Sequence, residues 1–115
     1  MILRKSMYQS MLTIEAKKHI NVVACVLKKN EKILIASRPA TKNFSGFFEF
    51  PGGKVKKDEC LIEALDREIC EELGIRLDFS KIYYLNNYRI LKHNISLHFF
   101  LCLRWFGKIK NKEKQ

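Results

Sequence analysis

The chain has 115 residues, 47% hydrophobic and 30% charged, with 22 Lys and Arg against 12 Asp and Glu and a formal charge of +10. That length allows one domain with a modest core and argues against two, and the composition excludes a disordered tail. The charge is uneven: from Asp58 to Glu72 seven acids (Asp58, Glu59, Glu63, Asp66, Glu68, Glu71, Glu72) accompany one base, Arg67, so this window carries −6 and the remainder +16.

In chain order, residues 1–18 read as an N-terminal extension and 19–115 as the domain. The opening is basic but has no continuous apolar run, so it is not a secretory signal, and Met7 and Met11 are alternative starts. No stretch approaches the roughly 18 apolar residues of a membrane span. The four cysteines (Cys25, Cys60, Cys70, Cys102) show no zinc-like spacing, so they read as buried free thiols of a cytoplasmic protein. His19 to Lys28 is β-branched and apolar, as a strand buried on both faces would be. A polar break at Lys29-Asn30-Glu31 leads into a second strand, Lys32 to Ser37, completing a hairpin. A loop from Arg38 to Phe48 precedes a short aromatic strand, Phe47 to Phe50, that stops at Pro51-Gly52-Gly53. A helix is predicted from about Asp58 to Leu73, then strands over Ser80 to Arg89 and Asn94 to Trp105, and a basic tail. Strands, one helix, then strands define an α+β fold with a mixed sheet.

The helix holds the chemistry. At 100° per residue, Leu61, Ile62, Leu65, Ile69 and Leu73 share a core-facing stripe, and Gly74-Ile75 supplies a left-handed stop with an apolar closing contact. Cys60 and Glu63 stand at capping-box spacing, with Cys in place of Ser or Thr. Glu72 projects inside the stripe and Glu68 on its border. Glu68, Glu71 and Glu72 repel one another at i+3 and i+4, and they crowd the end of the helix where the macrodipole disfavours negative charge. A solvated acidic face would not put a carboxylate into the core stripe. A hard divalent cation, Mg²⁺ or Mn²⁺, offsets such a cluster, and the preceding glycines let backbone approach closely enough for a carbonyl to join. Metal beside abundant lysine suggests a polyphosphate substrate and metal-assisted hydrolysis of a phosphoanhydride. Arg38 suits a phosphate but reads equally as a strand-end surface residue, and Phe50 reads first as core.

The segment GGKVKKDECLIEALDREICEELGI resembles the Nudix box, G-x5-E-x7-R-E-U-x-E-E-x-G-U with U apolar, at Gly53, Glu59, Arg67, Glu68, Ile69, Glu71, Glu72, Gly74 and Ile75. VVACVLKKNEKILIASRPA, FEFPGGK and ISLHFFLCLRWFG extend the resemblance to the MutT branch over residues 19–115. It implies a Nudix fold, a mixed sheet sandwiched by helices with the box as loop–helix–loop. By position Glu68, Glu71 and Glu72 would hold Mg²⁺ with the Gly52 carbonyl, Arg67 would orient and neutralise them, and Glu59 would lie outside them. Glu113 matches an accessory acid, and either it or Glu68 would be the general base. Arg38, Asn43, Glu49, Phe50, Pro51, Gly52 and His93 fall on the nucleotide side. The implied reaction is water attack on the β-phosphorus of 8-oxo-dGTP, giving monophosphate and pyrophosphate, with a role in nucleotide-pool sanitation and DNA repair.

Relative to that pattern, the C-terminal strand and helix are expected to be missing. An inactive remnant is therefore an alternative, and so is oligomerisation in place of a monomer if apolar surface is left uncovered. A Nudix hydrolase of another nucleoside diphosphate derivative is a further alternative, because the box binds metal and diphosphate and not the base. Nucleic-acid binding fits the +16 but no motif supports it, and Lys-rich codon bias accounts for the charge as well.

Overall fold

The computed structural model describes residues 18–34, 36–37 and 48–110. Its frame is a mixed five-stranded sheet built on β1 (Ile20–Lys29). Along one edge of β1 run, in turn, β5 (Gly52–Lys54), antiparallel from Val22 to Ala24, and β2 (Lys32–Leu34), antiparallel from Leu27 to Lys29. On its other edge lies β8 (Ile95–Cys102), parallel to β1 from Ile20↔Ile95 to Leu27↔Cys102. Beyond it β7 (Ile82–Ile90) is antiparallel to β8, with a register shift between Tyr84 and Asn86. Two-stranded pairs are formed by β3 (Ala36–Ser37) with β4 (Phe48–Glu49), and by β6 (Arg76–Leu77) with β9 (Trp105–Phe106).

The apolar run of β1 is explained by its position, since both faces are covered. Val23, Cys25 and Leu27 face the single described helix, α1 (Leu61–Leu73), and pack with Ala64, Leu65, Ile69, Leu73, Phe100 and Cys102. Ile20 and Val22 turn to the opposite side with Ile95 and Leu97. The hairpin turn places Asn30 and Glu31 at φ 53° and 66°, a left-handed pair whose twist suits a two-residue connection.

Three boundaries differ from the sequence reading. The helix begins at Leu61 and not near Asp58, because Asp58 adopts φ 65° and Cys60 is the extended N-cap. The Cys60 N–H donates to Glu63 Oε1 at 2.9 Å, one half of a capping box. The expected strand over residues 32–37 splits, its first part pairing with β1 and its last two residues with β4. The glycine-rich segment taken as a strand stop is itself a strand, β5, which tertiary pairing imposes on residues of low β-propensity. Cys25 and Cys102 are buried as expected, whereas Cys60 is exposed and Cys70 only half-buried; all four are free thiols.

Candidate active site

The site is assembled where β5 and the loop after it meet α1. Gly53 pairs with Val23 at the centre of the sheet, and its missing side chain is what brings α1 close: a Cβ there would overlap the Glu68 carboxylate. A Cβ on Gly52 would likewise overlap the Val23 carbonyl oxygen. The Gly pair is thus a requirement for bringing acid and sheet backbone into contact.

Arg67 ties the loop to the helix. Its Nε donates to Glu59 Oε2 at 2.7 Å, and Nη2 donates to Glu59 Oε1 at 2.9 Å and to the Lys54 carbonyl at 3.0 Å. Nη1 donates to Glu68 Oε1 at 3.0 Å and more weakly to Glu71 Oε1 at 3.4 Å. These five contacts match the five N–H donors of a guanidinium. The Lys56 N–H adds a bond of 2.9 Å to Glu59 Oε1. Held chiefly by the Arg67 hydrogen bonds, the Glu59 carboxyl titrates at about 2, and the same bonds push the Arg67 guanidinium upward. Glu59 is therefore a fixed anion that orients Arg67.

The three clustered acids have unequal environments. Glu72 is fully buried in the arc that also presents Leu65 and Ile69, Glu68 is buried, and Glu71 is half-exposed. Among the described residues no three His, Cys, Asp or Glu groups converge as a metal cluster, and Arg67 contacts both Glu68 and Glu71. The chemistry nevertheless fits a hard cation. The acids are all-oxygen donors on one helix, two of them are removed from bulk water, and the backbone of Gly53 is open to Glu68 because it carries no side chain.

Other residues singled out from the sequence are spread more widely. Pro51 is buried and its carbonyl accepts from the Cys25 N–H at 2.8 Å, with Phe50 half-buried beside it. His93 is half-buried in the 3-10 turn Leu91–His93, close to the start of β1, where the Asn94 carbonyl accepts from the Ile20 N–H at 3.0 Å. Five residues of β1 separate that level from Phe50 and Pro51, about 16 Å at the rise of a strand, so His93 and Phe50 do not stand together. For Glu49 only its backbone pairing with Ala36 is described. Arg38, Asn43 and Glu113 lie outside the described residues.

Sequence reasoning missed two features. Asp66, counted in the acidic window, is a structural clamp: it is buried, accepts from the Leu77 N–H and Arg76 Nε at 2.8 Å each, and pairs with Arg76 Nη2 at 2.6 Å. The only available signal was a lone Arg just past the helix-ending glycine. The second is a polar chain on the helix-facing side of the sheet: Tyr84 Oη to His98 Nδ1 at 2.9 Å, and His98 Nε2 to Asn21 Oδ1 at 3.1 Å. His19 Nε2 meets Ser96 Oγ at 2.9 Å alongside. Burial, reinforced by nearby His19, holds His98 below its ordinary pKa and so neutral. A neutral ring that accepts from Tyr84 and donates to Asn21 satisfies the whole chain. The histidine in an otherwise apolar ISLHFFLC was the available clue.

The site and the sheet define a class of hydrolases that place a carboxylate-rich helix against a glycine-rich strand. The NUDIX domain profile matches residues 17–115, and the chain belongs to the NUDIX family. It is 39% identical over 99 residues to the 8-oxo-dGTP diphosphatase of Buchnera aphidicola subsp. Schizaphis graminum, covering 84% of this chain and 72% of that protein. It is 37% identical over 98 residues to the CTP pyrophosphohydrolase of Escherichia coli K12, covering 85% and 73%. Among solved structures it resembles a MutT from work on the Aliivibrio salmonicida and Vibrio cholerae proteins. The TM-score there is 0.73 at 32% identity, over 84% of this chain and 74% of that one. The solution structure of the E. coli ORF135 protein matches with a TM-score of 0.70 at 36% identity, over 82% and 67%. Among the described residues no helix is long and apolar enough to cross a membrane.

Proposed function

We propose that this hydrolase is a Mg²⁺-dependent nucleoside triphosphate pyrophosphohydrolase of the MutT kind. In this reading it converts 8-oxo-dGTP to the monophosphate and pyrophosphate in the cytoplasm and clears oxidised purine nucleotides before they reach DNA. The observation that carries the reading is the pair of buried acids on α1: Glu68, packed against the Gly53 backbone and gripped by Arg67, and the fully buried Glu72 one turn on. Two further supports are the likeness to 8-oxo-dGTP diphosphatases and the correspondence of every defined box position.

Glu68, Glu71 and Glu72, with the Gly52 carbonyl, would hold the cation. When bound, the cation polarises the phosphoanhydride and lowers the pKa of the attacking water. A cation there would compete with the Nη1 contacts of Arg67 to Glu68 and Glu71, while the Glu59 and Lys54 contacts would keep the guanidinium in place and within reach of a phosphate oxygen. The proton of the attacking water passes to a carboxylate, Glu68 or Glu113. Arg38, Asn43, Glu49, Phe50, Pro51 and His93 would line the nucleotide side. The protein acts as a monomer in this reading.

A second substrate reading, hydrolysis of CTP, is favoured by the 37% identity to a CTP pyrophosphohydrolase. Pyrophosphate release from 8-oxo-dGTP, dGTP and CTP, each with Mg²⁺ and beside a Glu72→Gln protein, tests both. The leading reading expects the highest kcat/KM for 8-oxo-dGTP and near-complete loss in the variant. Equal rates in the two proteins would overturn the metal site, and a preference for CTP would overturn the substrate.

A further inference from the structure

A cavity of about 580 Å³ opens between the start of β1 and the loop that leads from β5 toward α1, lined by Lys18, His19, Asn21, Lys54, Lys56, Lys57 and Glu59. That volume is in the range of small-molecule sites. Four lysines surround it, and its one carboxylate, Glu59, is already neutralised by two Arg67 hydrogen bonds and held by the Lys56 N–H. Among the described residues that line it, four lysines therefore stand against one carboxylate that is already paired.

Its two other polar groups are fixed from behind. Asn21 spends its Oδ1 on His98 Nε2 and keeps its amide donors, and His19 is anchored through Nε2 to Ser96. A wall of ammonium groups and an amide, with no free acid, suits a compact, multiply charged oxyanion. Positive φ at Asp58 turns the chain sharply just after Lys56 and Lys57, and both lysines are exposed beside the cavity.

We propose that this cavity is a second phosphate site, which holds a pyrophosphate-class anion without a divalent cation. The anion is either the free product or the terminal phosphates of a nucleotide polyphosphate. The assignment rests on the reading of the neighbouring α1 site as a nucleoside triphosphate pyrophosphohydrolase, and it adds a cation-independent subsite whose key residues, Lys18, Lys56 and Lys57, lie off the carboxylate helix. The shared wall is Glu59: the residue that lines the cavity also fixes Arg67, so an anion here sits next to the group that orients the acids of α1.

The test is calorimetric titration of the full chain with sodium pyrophosphate in EDTA, so that no cation-mediated binding contributes. Wild type is compared with Lys56→Gln/Lys57→Gln and with Lys29→Gln/Lys32→Gln, which removes equal charge at the opposite end of β1. The expected result is pyrophosphate binding weakened about tenfold by the first pair and little changed by the second. Absence of cation-free binding, or equal weakening by both pairs, overturns the site and leaves only the general attraction of a basic protein for anions. A parallel titration with dGTP and dGMP separates the sources. Lysine-dependent binding of the triphosphate assigns the cavity to the substrate's terminal phosphates, and binding of pyrophosphate alone assigns it to the leaving product. Glu72→Gln, run in the same buffer, retains the lysine-dependent binding. A wild-type protein that binds pyrophosphate this way but hydrolyses no nucleotide would refute the proposed activity and not the cavity.

Discussion

Two groups of buried carboxylate on the same helix meet opposite fates. Asp66 faces β6 and is satisfied on both oxygens, by Arg76 and by the Leu77 N–H, so it fastens the middle of α1 to the chain that follows. Glu68 faces the glycine strand, where Arg67 meets it through a single nitrogen while giving its bidentate grip to Glu59, and Glu72 is fully buried one turn further on. Burial is common to both groups, so burial alone does not mark an acid for chemistry: Asp66 fastens the fold, and in the proposed reading Glu68 and Glu72 turn to a cation.

The contrast is broken most sharply by Glu72→Gln. Pyrophosphate release under Mg²⁺ is expected to fall by about 10²–10³, as for loss of a central electrostatic group, while the thermal midpoint stays level or rises because a desolvated charge has gone. Asp66→Ala should do the reverse. Chemical denaturation is expected to register a loss of about 2–3 kcal/mol, since the Leu77 N–H is left without its acceptor, with activity per folded molecule largely retained. A smaller effect separates Glu59 from both groups. Its carboxyl is held at about 2, against an ordinary 4.5, mainly by Arg67. The stability it contributes is therefore complete above about pH 4.5 and lost as the pH falls toward 2. Acid unfolding of Glu59→Gln, followed by circular dichroism, should show a flatter loss of stability over that interval. The smallest change is expected of Glu63→Ala, which removes the exposed bond to the Cys60 N–H and lowers the denaturant midpoint only slightly.

The central strand, the helix and its glycine stop were legible because each carries a local signal: an unbroken β-branched run, a 3.6-residue stripe, a left-handed terminus. The acids of α1 were legible for the same reason, since Glu72 contradicts the stripe in which it sits. What local pattern could not supply were elements made by distant partners. β5 is a strand only because β1 accepts Gly52 to Lys54 along its edge, and β6 is a strand only because Trp105 and Phe106 come back to it. Asp66 looked like one more member of an acidic run because Arg76 and the Leu77 N–H approach it around a turn. The polar chain of Tyr84, His98 and Asn21 spans three strands, and no window of sequence contains it.

The parallel pairing of β1 with β8 also governs how the molecule comes into being. Ile20 meets Ile95 and Leu27 meets Cys102 across a separation of 75 positions, so the middle of the sheet closes only when the two ends of the fold find each other. Contacts of such separation are slow to form, because a long loop must be closed before they return any stabilisation. During synthesis α1 leaves the ribosome well before β8, and its apolar stripe then has β1 and β5 to lean on but not Phe100 or Cys102. The packing of α1 against the sheet is therefore completed only once β8 has joined β1.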